Sequence, residues 1–404
     1  MKMYLNGVLF ALSTALDHVE GEILGVSDHH SKRVAFMCTQ IGEYFNYSTD
    51  DLLHLTGAAV MHDNALTEYC AVKRLQGIKA HEVIREELAP HCEMGERNAE
   101  SLPFYSSIKE VILFHHENAD GTGPYSQRAY ETPLMAQIIH ITDTVDAEFD
   151  LNTEVAQKYP RILRWLDENR KTLFADKLVD AFQEALPLHE LERIEGTKCV
   201  TILSEVLPEK EIEITNTGLI NIAGLFARIT DYKSHFTSVH SQGRAQKAEL
   251  MGKFYVDSPS ECAQLYVIGA LHDIGKLTIS NTILEKPSRL NEAEFETMKH
   301  HAVASYEMLK DVDHLEEVAL CAYLHHEKLD GSGYPLGKTG AELTRNEKLF
   351  CCIDIYQALT EERPYKKSLT HKEAIALMNT MVKDGKLDEK ITHDIDTCFT
   401  MVPF

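Results

Sequence analysis

Leu265-Tyr266-Val267-Ile268-Gly269-Ala270-Leu271-His272-Asp273-Ile274-Gly275-Lys276 is the stretch that decides the fold. Leu265, Ile268 and His272 follow the i, i+3, i+7 spacing of a helix with one buried face. An adjacent His and Asp therefore emerge from an apolar helix, where a lone charged group would be costly to bury. A second His-Asp pair, His62–Asp63, lies 210 residues earlier.

Working outward, the match extends along both halves. His30, His62–Asp63, His91, His115–His116 and Asp143 align with His240, His272–Asp273, His301, His325–His326 and Asp354 at an offset of 210, or 211 for the last position. Asp120-Gly121-Thr122-Gly123 lies over Asp330-Gly331-Ser332-Gly333, and the apolar run Gly7 to Leu16 over Thr217 to Phe226. The chain reads as a duplication. Pro208-Glu209-Lys210-Glu211 and Asn216-Thr217-Gly218 supply the linker, giving expected domains 1–210 and 211–404.

Helical spacing recurs at Leu315, Val318, Ala319, Ala322 and His326, and at Ile108, Val111, Ile112, His115 and His116. Period-two alternation is rare, with Glu211-Ile212-Glu213-Ile214-Thr215 as a short strand candidate. The predicted fold is all-α, two tandem helical bundles. The 404 residues, 44% hydrophobic and 25% charged, suit about two globular domains.

A net charge of −23 argues against duplex nucleic acid as a partner. Nine scattered cysteines, without a CxxC pair, argue for a reducing, cytoplasmic setting. No apolar run of about 20 residues suggests a membrane span. The apolar segment Met3 to Leu16 reads as a structural helix because it has an internal counterpart.

Five histidines and two aspartates per half exceed what one tetrahedral ion needs. They suit two transition-metal ions that share a bridging carboxylate, with Asp273 in that position. Two such ions about 3.5–4 Å apart activate hydroxide and stabilise in-line displacement at phosphorus. Phosphoester hydrolysis is the natural reaction.

His272-Asp273-Ile274-Gly275-Lys276, His325-His326-Glu327-Lys328-Leu329-Asp330-Gly331-Ser332-Gly333-Tyr334-Pro335, and Asp354-Ile355-Tyr356-Gln357-Ala358-Leu359-Thr360 followed by Arg363-Pro364-Tyr365-Lys366 resemble the signature segments of the HD-GYP family. The resemblance implies hydrolysis of a bacterial cyclic dinucleotide, 3′3′-cyclic GMP-AMP or cyclic di-GMP, to a linear dinucleotide. It implies His240, His272, Asp273, His301, His325, His326 and Asp354 as metal ligands; imidazole and carboxylate suit Fe, Mn, Ni or Zn, and two such ions are expected. Asp273 and Lys276 take catalytic roles, Arg363 and Lys366 contact phosphate, and Gly333, Tyr334 and Pro335 form the wall near substrate. The tandem arrangement resembles the cyclic GMP-AMP phosphodiesterases in particular. Alternatives are a non-catalytic cyclic dinucleotide receptor and a nucleotide phosphohydrolase of the wider HD superfamily. Homodimerisation stays open.

Two positions depart from the family pattern. Phe236 stands where some members carry a Glu for a third ion, and Gln357 replaces the second Asp of D-x-x-D, which the first half keeps as Asp146. The first half keeps all seven ligand types as a second candidate metal set: His30, His62, Asp63, His91, His115, His116 and Asp143. It has Asn64-Ala65-Leu66 in place of Ile274-Gly275-Lys276, Gly123-Pro124-Tyr125 in place of Gly333-Tyr334-Pro335, and Asn152-Thr153-Glu154-Val155 in place of Arg363-Pro364-Tyr365-Lys366. The expectation is a metal-loaded first domain that has lost its substrate groups, and a catalytic second domain.

Overall fold

The computed structural model describes residues 2–23, 27–75, 89–233, 240–255, 258–361 and 367–402. Helices dominate, and the one named sheet among the described residues has two short strands. The chain divides into two compact units, Lys2–Glu213 and, after Met1, Ile214–Phe404. The break follows from strand pairing. Lys2–Tyr4 runs antiparallel to Glu211–Glu213 with Met3 opposite Ile212, so the strand that ends the first unit is stitched to its beginning. The apolar segment that follows Tyr4 is the helix Leu5–Ile23, and Leu5, Leu9, Leu12 and Leu16 are buried in its unit's core.

Within each unit a buried helix carries the His-Asp pair at its end. In the first this is Thr49–Met61, packed against Leu5–Ile23 and His30–Tyr44. In the second it is Pro259–Leu271, packed against Asn216–Lys233, His240–Tyr255 and Glu316–Leu324. Local sequence sets the starts. Ser48 and Ser258 cap these helices through Asp51 N and Glu261 N, and Pro259 stands where a helix needs no amide donor. Capping boxes, Asn291 with Glu294 and Thr344 with Glu347, start the helices Glu292–Leu309 and Arg345–Thr360, which carry His301 and Asp354.

One helix expected from periodicity is not continuous. The stripe from Ile108 to His116 lies on a short helix, Tyr105–Ile108, followed by turns, and Glu110 has φ 66°. The buried Glu96 carboxylate accepts hydrogen bonds from Glu110 N at 2.6 Å and Leu113 N at 3.1 Å. It does the work that helical carbonyls would do, so the apolar spacing survives while the helix does not.

After His272–Asp273 the backbone enters a 3₁₀ turn, Ile274–Thr278, lying hard against the helix that bears His301. Gly275 N donates to Ser305 Oγ at 2.8 Å, and that hydroxyl donates to His272 O at 2.9 Å. A Cβ on Gly275 would stand 2.0 Å from His301 O and 2.5 Å from Ser305 N, both backbone atoms. The first unit reverses the sizes, with Ala65 on the turn and Gly95 on the facing helix at the matched positions. Gly275→Ala is expected to lower the stability of the second unit by about 1–3 kcal/mol through overpacking. Chemical denaturation checks this, and an unchanged midpoint would show that the turn can move away.

Candidate metal centre

The sites are built from helix ends. In the second unit His272 Nδ1 lies 2.9 Å from Gly269 O, His301 Nδ1 2.6 Å from Met298 O, and His325 Nδ1 2.7 Å from Ala322 O. Each carbonyl belongs to the preceding helical turn and can only accept, so Nδ1 carries the proton. The Nε2 lone pair of each ring is left facing inward, the arrangement that orients metal-ligating imidazoles. His62 with Ala59 O at 2.8 Å and His115 with Ile112 O at 2.6 Å repeat the device in the first unit.

These rings converge on one carboxylate. Asp273 Oδ2 is 3.1 Å from His272 Nε2, while Oδ1 is 3.5 Å from His301 Nε2 and 3.8 Å from His325 Nε2. The first unit shows the same pattern: Asp63 Oδ2 is 3.5 Å from His62 Nε2, and Oδ1 is 3.5 Å from His91 Nε2 and 3.8 Å from His115 Nε2. Asp354 Oδ2 faces His326 Nδ1 at 3.6 Å. Two groups with metal-ligand spacing result in the second unit, His301–His325–His326 and His272–Asp273–His325. His272 Nε2 and Asp273 Oδ1 are buried without a hydrogen-bond partner among the described residues, as are His62 Nε2, Asp63 Oδ1 and His115 Nε2. Inward-facing donor atoms left without partners fit a divalent ion, because burying them unsatisfied is costly.

The electrostatics favour the ligating forms. Burial opposes charge on Asp273, but Lys276, His272 and Arg244 beside it hold the carboxyl well below its ordinary range. Asp354 is likewise held low against burial by Arg244, His326 and His325. Burial pushes His301 down to about 4 and His326 down to about 3. Those imidazoles are neutral at pH 7, with lone pairs available for a metal. The first unit differs at one end of its cluster. Burial opposes charge on His30 and His62, but Asp143 and Asp146 raise His30 well above its ordinary value, and Asp63 and Asp143 raise His62 to about 9.

The remaining sequence-derived positions fall as follows. Lys276 Nζ donates to Asp273 Oδ2 at 2.6 Å, at the edge of the centre. Tyr334 lies over His326, ring centroids 4.7 Å apart. The Gly333–Pro335 loop is pinned from below by the buried Glu327, whose carboxylate accepts from Leu336 N, Gly337 N and Lys338 N at 2.7–3.0 Å. Gly333 is required there, since a Cβ would stand 2.3 Å from Glu327 Cα. His240 begins the helix His240–Tyr255, and its side chain lies outside the described residues, as do Phe236, Arg363 and Lys366. In the first unit His30, His62 and Asp143 form one group, and His91, His115 and His116 join Cys92 in another.

Three groups were not singled out from sequence. Arg244, 3% exposed, reaches Asp354 Oδ1 at 3.0 Å and Asp273 Oδ2 at 3.5 Å. In the first unit the buried Arg33 instead pairs with Asp146 at 2.7 Å, and Asp146 accepts from His30 Nδ1 at 2.6 Å. The second unit has Gly243 at the position of Arg33 and Gln357 at that of Asp146. The Gln357 amide lies 3.0 Å from where a Gly243 Cβ would be. The departure at Gln357 is therefore half of a coupled change, in which both members of a buried ion pair disappear. Cys92 is the third. Only the offset comparison, position by position, could have flagged these residues, because none carries a motif.

Residues 225–391 match the HD domain family. Over 96% of this chain and 90% of the relative, the sequence is 27% identical to 3′3′-cGAMP-specific phosphodiesterase 1 of Vibrio cholerae. It is 29% identical to 3′3′-cGAMP-specific phosphodiesterase 3 of the same organism over 73% of this chain and 64% of that protein. It is 33% identical to the cyclic di-GMP phosphodiesterase response regulator RpfG of Xanthomonas campestris over 38% of this chain and 41% of that one. The crystal structure of a cyclic GMP-AMP-specific phosphodiesterase of Vibrio cholerae, V-cGAP3, superposes with a TM-score of 0.66 at 21% identity, covering 100% of this chain and 99% of that one, and so shares its fold. No helix among the described residues is long and apolar enough to cross a membrane.

In metal-free protein, Arg244→Ala leaves Asp273 and Asp354 buried with less countercharge. The expected loss of stability is about 3–5 kcal/mol, largely restored by a divalent ion. Denaturation with and without added Mn²⁺ checks this, and equal losses in both conditions would argue that Arg244 and the ions do not share those carboxylates.

Proposed function

We propose that this chain, which carries an HD domain over residues 225–391, is a metal-dependent phosphodiesterase that hydrolyses a cyclic dinucleotide to a linear one, with 3′3′-cyclic GMP-AMP favoured over cyclic di-GMP. The observation that carries the reading is the Asp273 carboxylate. One oxygen faces His272, the other faces His301 and His325, and its Oδ1 has no hydrogen-bond partner among the described residues. A carboxylate so placed would help to hold divalent ions, together with His272, His301, His325, His326, Asp354 and His240.

Divalent ions bound there supply Lewis acidity towards a phosphoryl oxygen and activate water for attack. The chain's own groups do the rest. The Nδ1–carbonyl contacts hold each imidazole in the ligating tautomer. Lys276 offers a charged donor beside the centre, suited to negative charge on the phosphoryl group or the departing 3′-oxygen. Tyr334, packed on His326 and held by the Glu327-pinned loop, supplies an apolar face of the kind a nucleobase stacks upon. Arg363 and Lys366 are assigned to the second phosphate. A net charge of −23 repels the dianionic ligand at long range, so local cations and ions must reverse the field at the site.

We assign turnover to the second unit. Leu66 stands in the first unit where the second has Lys276, which removes a cation from beside the carboxylate. Asp273→Ala is expected to lower turnover at least about 100-fold, whereas His62→Ala with Asp63→Ala leaves most of it. The assay is incubation with cyclic GMP-AMP, cyclic di-GMP and cyclic di-AMP, with products resolved by chromatography. Stoichiometric binding without product would make the chain a receptor instead, and near-complete loss in the His62/Asp63 double variant would move the chemistry to the first unit.

A further inference from the structure

The first unit differs from the second in one ligand-bearing position that the duplication pattern does not predict. Cys92 follows His91 on the helix Ala89–Ala99, where the second unit has Ala302 after His301. Both residues are fully buried, so the difference in sulfur lies within a core and not at a surface. It joins His91, His115 and His116 in a group whose donor atoms all lie within 4.8 Å of one another. No other cysteine stands in such a group among the described residues.

The spacing suits one tetrahedral ion. Bonds of about 2.3 Å to sulfur and about 2.05 Å to nitrogen at tetrahedral angles place sulfur about 3.6 Å from nitrogen and two nitrogens about 3.3 Å apart. Cys92 Sγ is 3.6 Å from His91 Nε2, and His91 Nε2 is 3.2 Å from His116 Nε2. Cys92 Sγ is 3.9 Å from His115 Nδ1, which Ile112 O holds at 2.6 Å, so that ring would ligate through its buried Nε2, which has no hydrogen-bond partner among the described residues. Asp63 Oδ1 faces His91 Nε2 at 3.5 Å and His115 Nε2 at 3.8 Å.

We infer that His91, Cys92, His115 and His116 hold a zinc-type ion in a closed His₃Cys set that is structural. Four protein donors fill a tetrahedral shell and leave no position for water, which a hydrolytic ion needs. Thiolate sulfur also favours zinc over the harder ions that imidazole and carboxylate accept. On binding, the Cys92 thiol proton leaves to solvent and the sulfur–metal bond replaces the S–H bond. The inference concerns the first unit's own ligands and holds whether or not the second unit is the phosphodiesterase.

Full-length protein, stripped of metal and reloaded with Co²⁺, tests it. Thiolate ligation gives strong near-ultraviolet sulfur-to-cobalt charge-transfer absorption, which imidazole and carboxylate ligands lack. The expected result is that band in the unreplaced chain, retained in Asp273→Ala. Cys92→Ala, which installs the residue found at position 302, should lose the band and about one ion per chain. A Co²⁺-loaded chain without the band, or a band that survives Cys92→Ala, overturns the assignment. If Cys92→Ala does not fold, anomalous diffraction at the zinc edge from the unreplaced chain decides. A zinc peak bonded to Cys92 Sγ supports the site, and no peak there overturns it.

Discussion

A carboxylate buried among imidazoles in a helical core is the constraint around which each unit is organised. Charged and polar groups of this kind are costly to bury unless every one has a partner. In the second unit Asp273 is compensated by Arg244 and Lys276, and the rings are fixed by carbonyls one turn back. Within this cluster His272 Nε2 and Asp273 Oδ1 remain without a hydrogen-bond partner among the described residues. That residual imbalance is what an ion would relieve, so metal affinity and folding stability are two readings of one energy.

The two copies have handled this constraint differently. The first keeps Arg33 and Asp146 as a buried pair that orients His30. The second carries neither, sets Gln357 against Gly243, and places Arg244 beside Asp354 and Asp273. A similar exchange of size occurs between the turn after the His-Asp pair and the helix facing it, Gly275 and Ser305 in one unit and Ala65 and Gly95 in the other. Changing one member of a charged or tightly packed buried pair alone is costly, because a void or an orphaned charge would result. At these two places the copies therefore differ in pairs. Cys92 stands where the second unit has Ala302, a neutral difference of small volume beside the imidazoles that needs no compensating charge.

Much of this was open to reading in one dimension. The offset of 210 exposed the duplication, the 3.6-residue period gave helices for the His-Asp segments, and residue type gave a candidate metal-ligand set. Periodicity misled at Ile108–His116, since an apolar stripe records which residues face inward and not which groups satisfy the backbone; Glu96 does that there.

Sequence alone determined the helical class and the repeated set of imidazoles and carboxylates, because those follow from spacing and residue type. Tertiary structure alone decided which oxygen of Asp273 meets which ring, that Arg244 stands between Asp273 and Asp354, that Glu327 carries the loop under Tyr334, and that Cys92 sits at ligand distance from His91. These are contacts between residues far apart in the chain, or directions taken by side chains at helix ends. No local pattern encodes them, since they depend on how several helices pack at once.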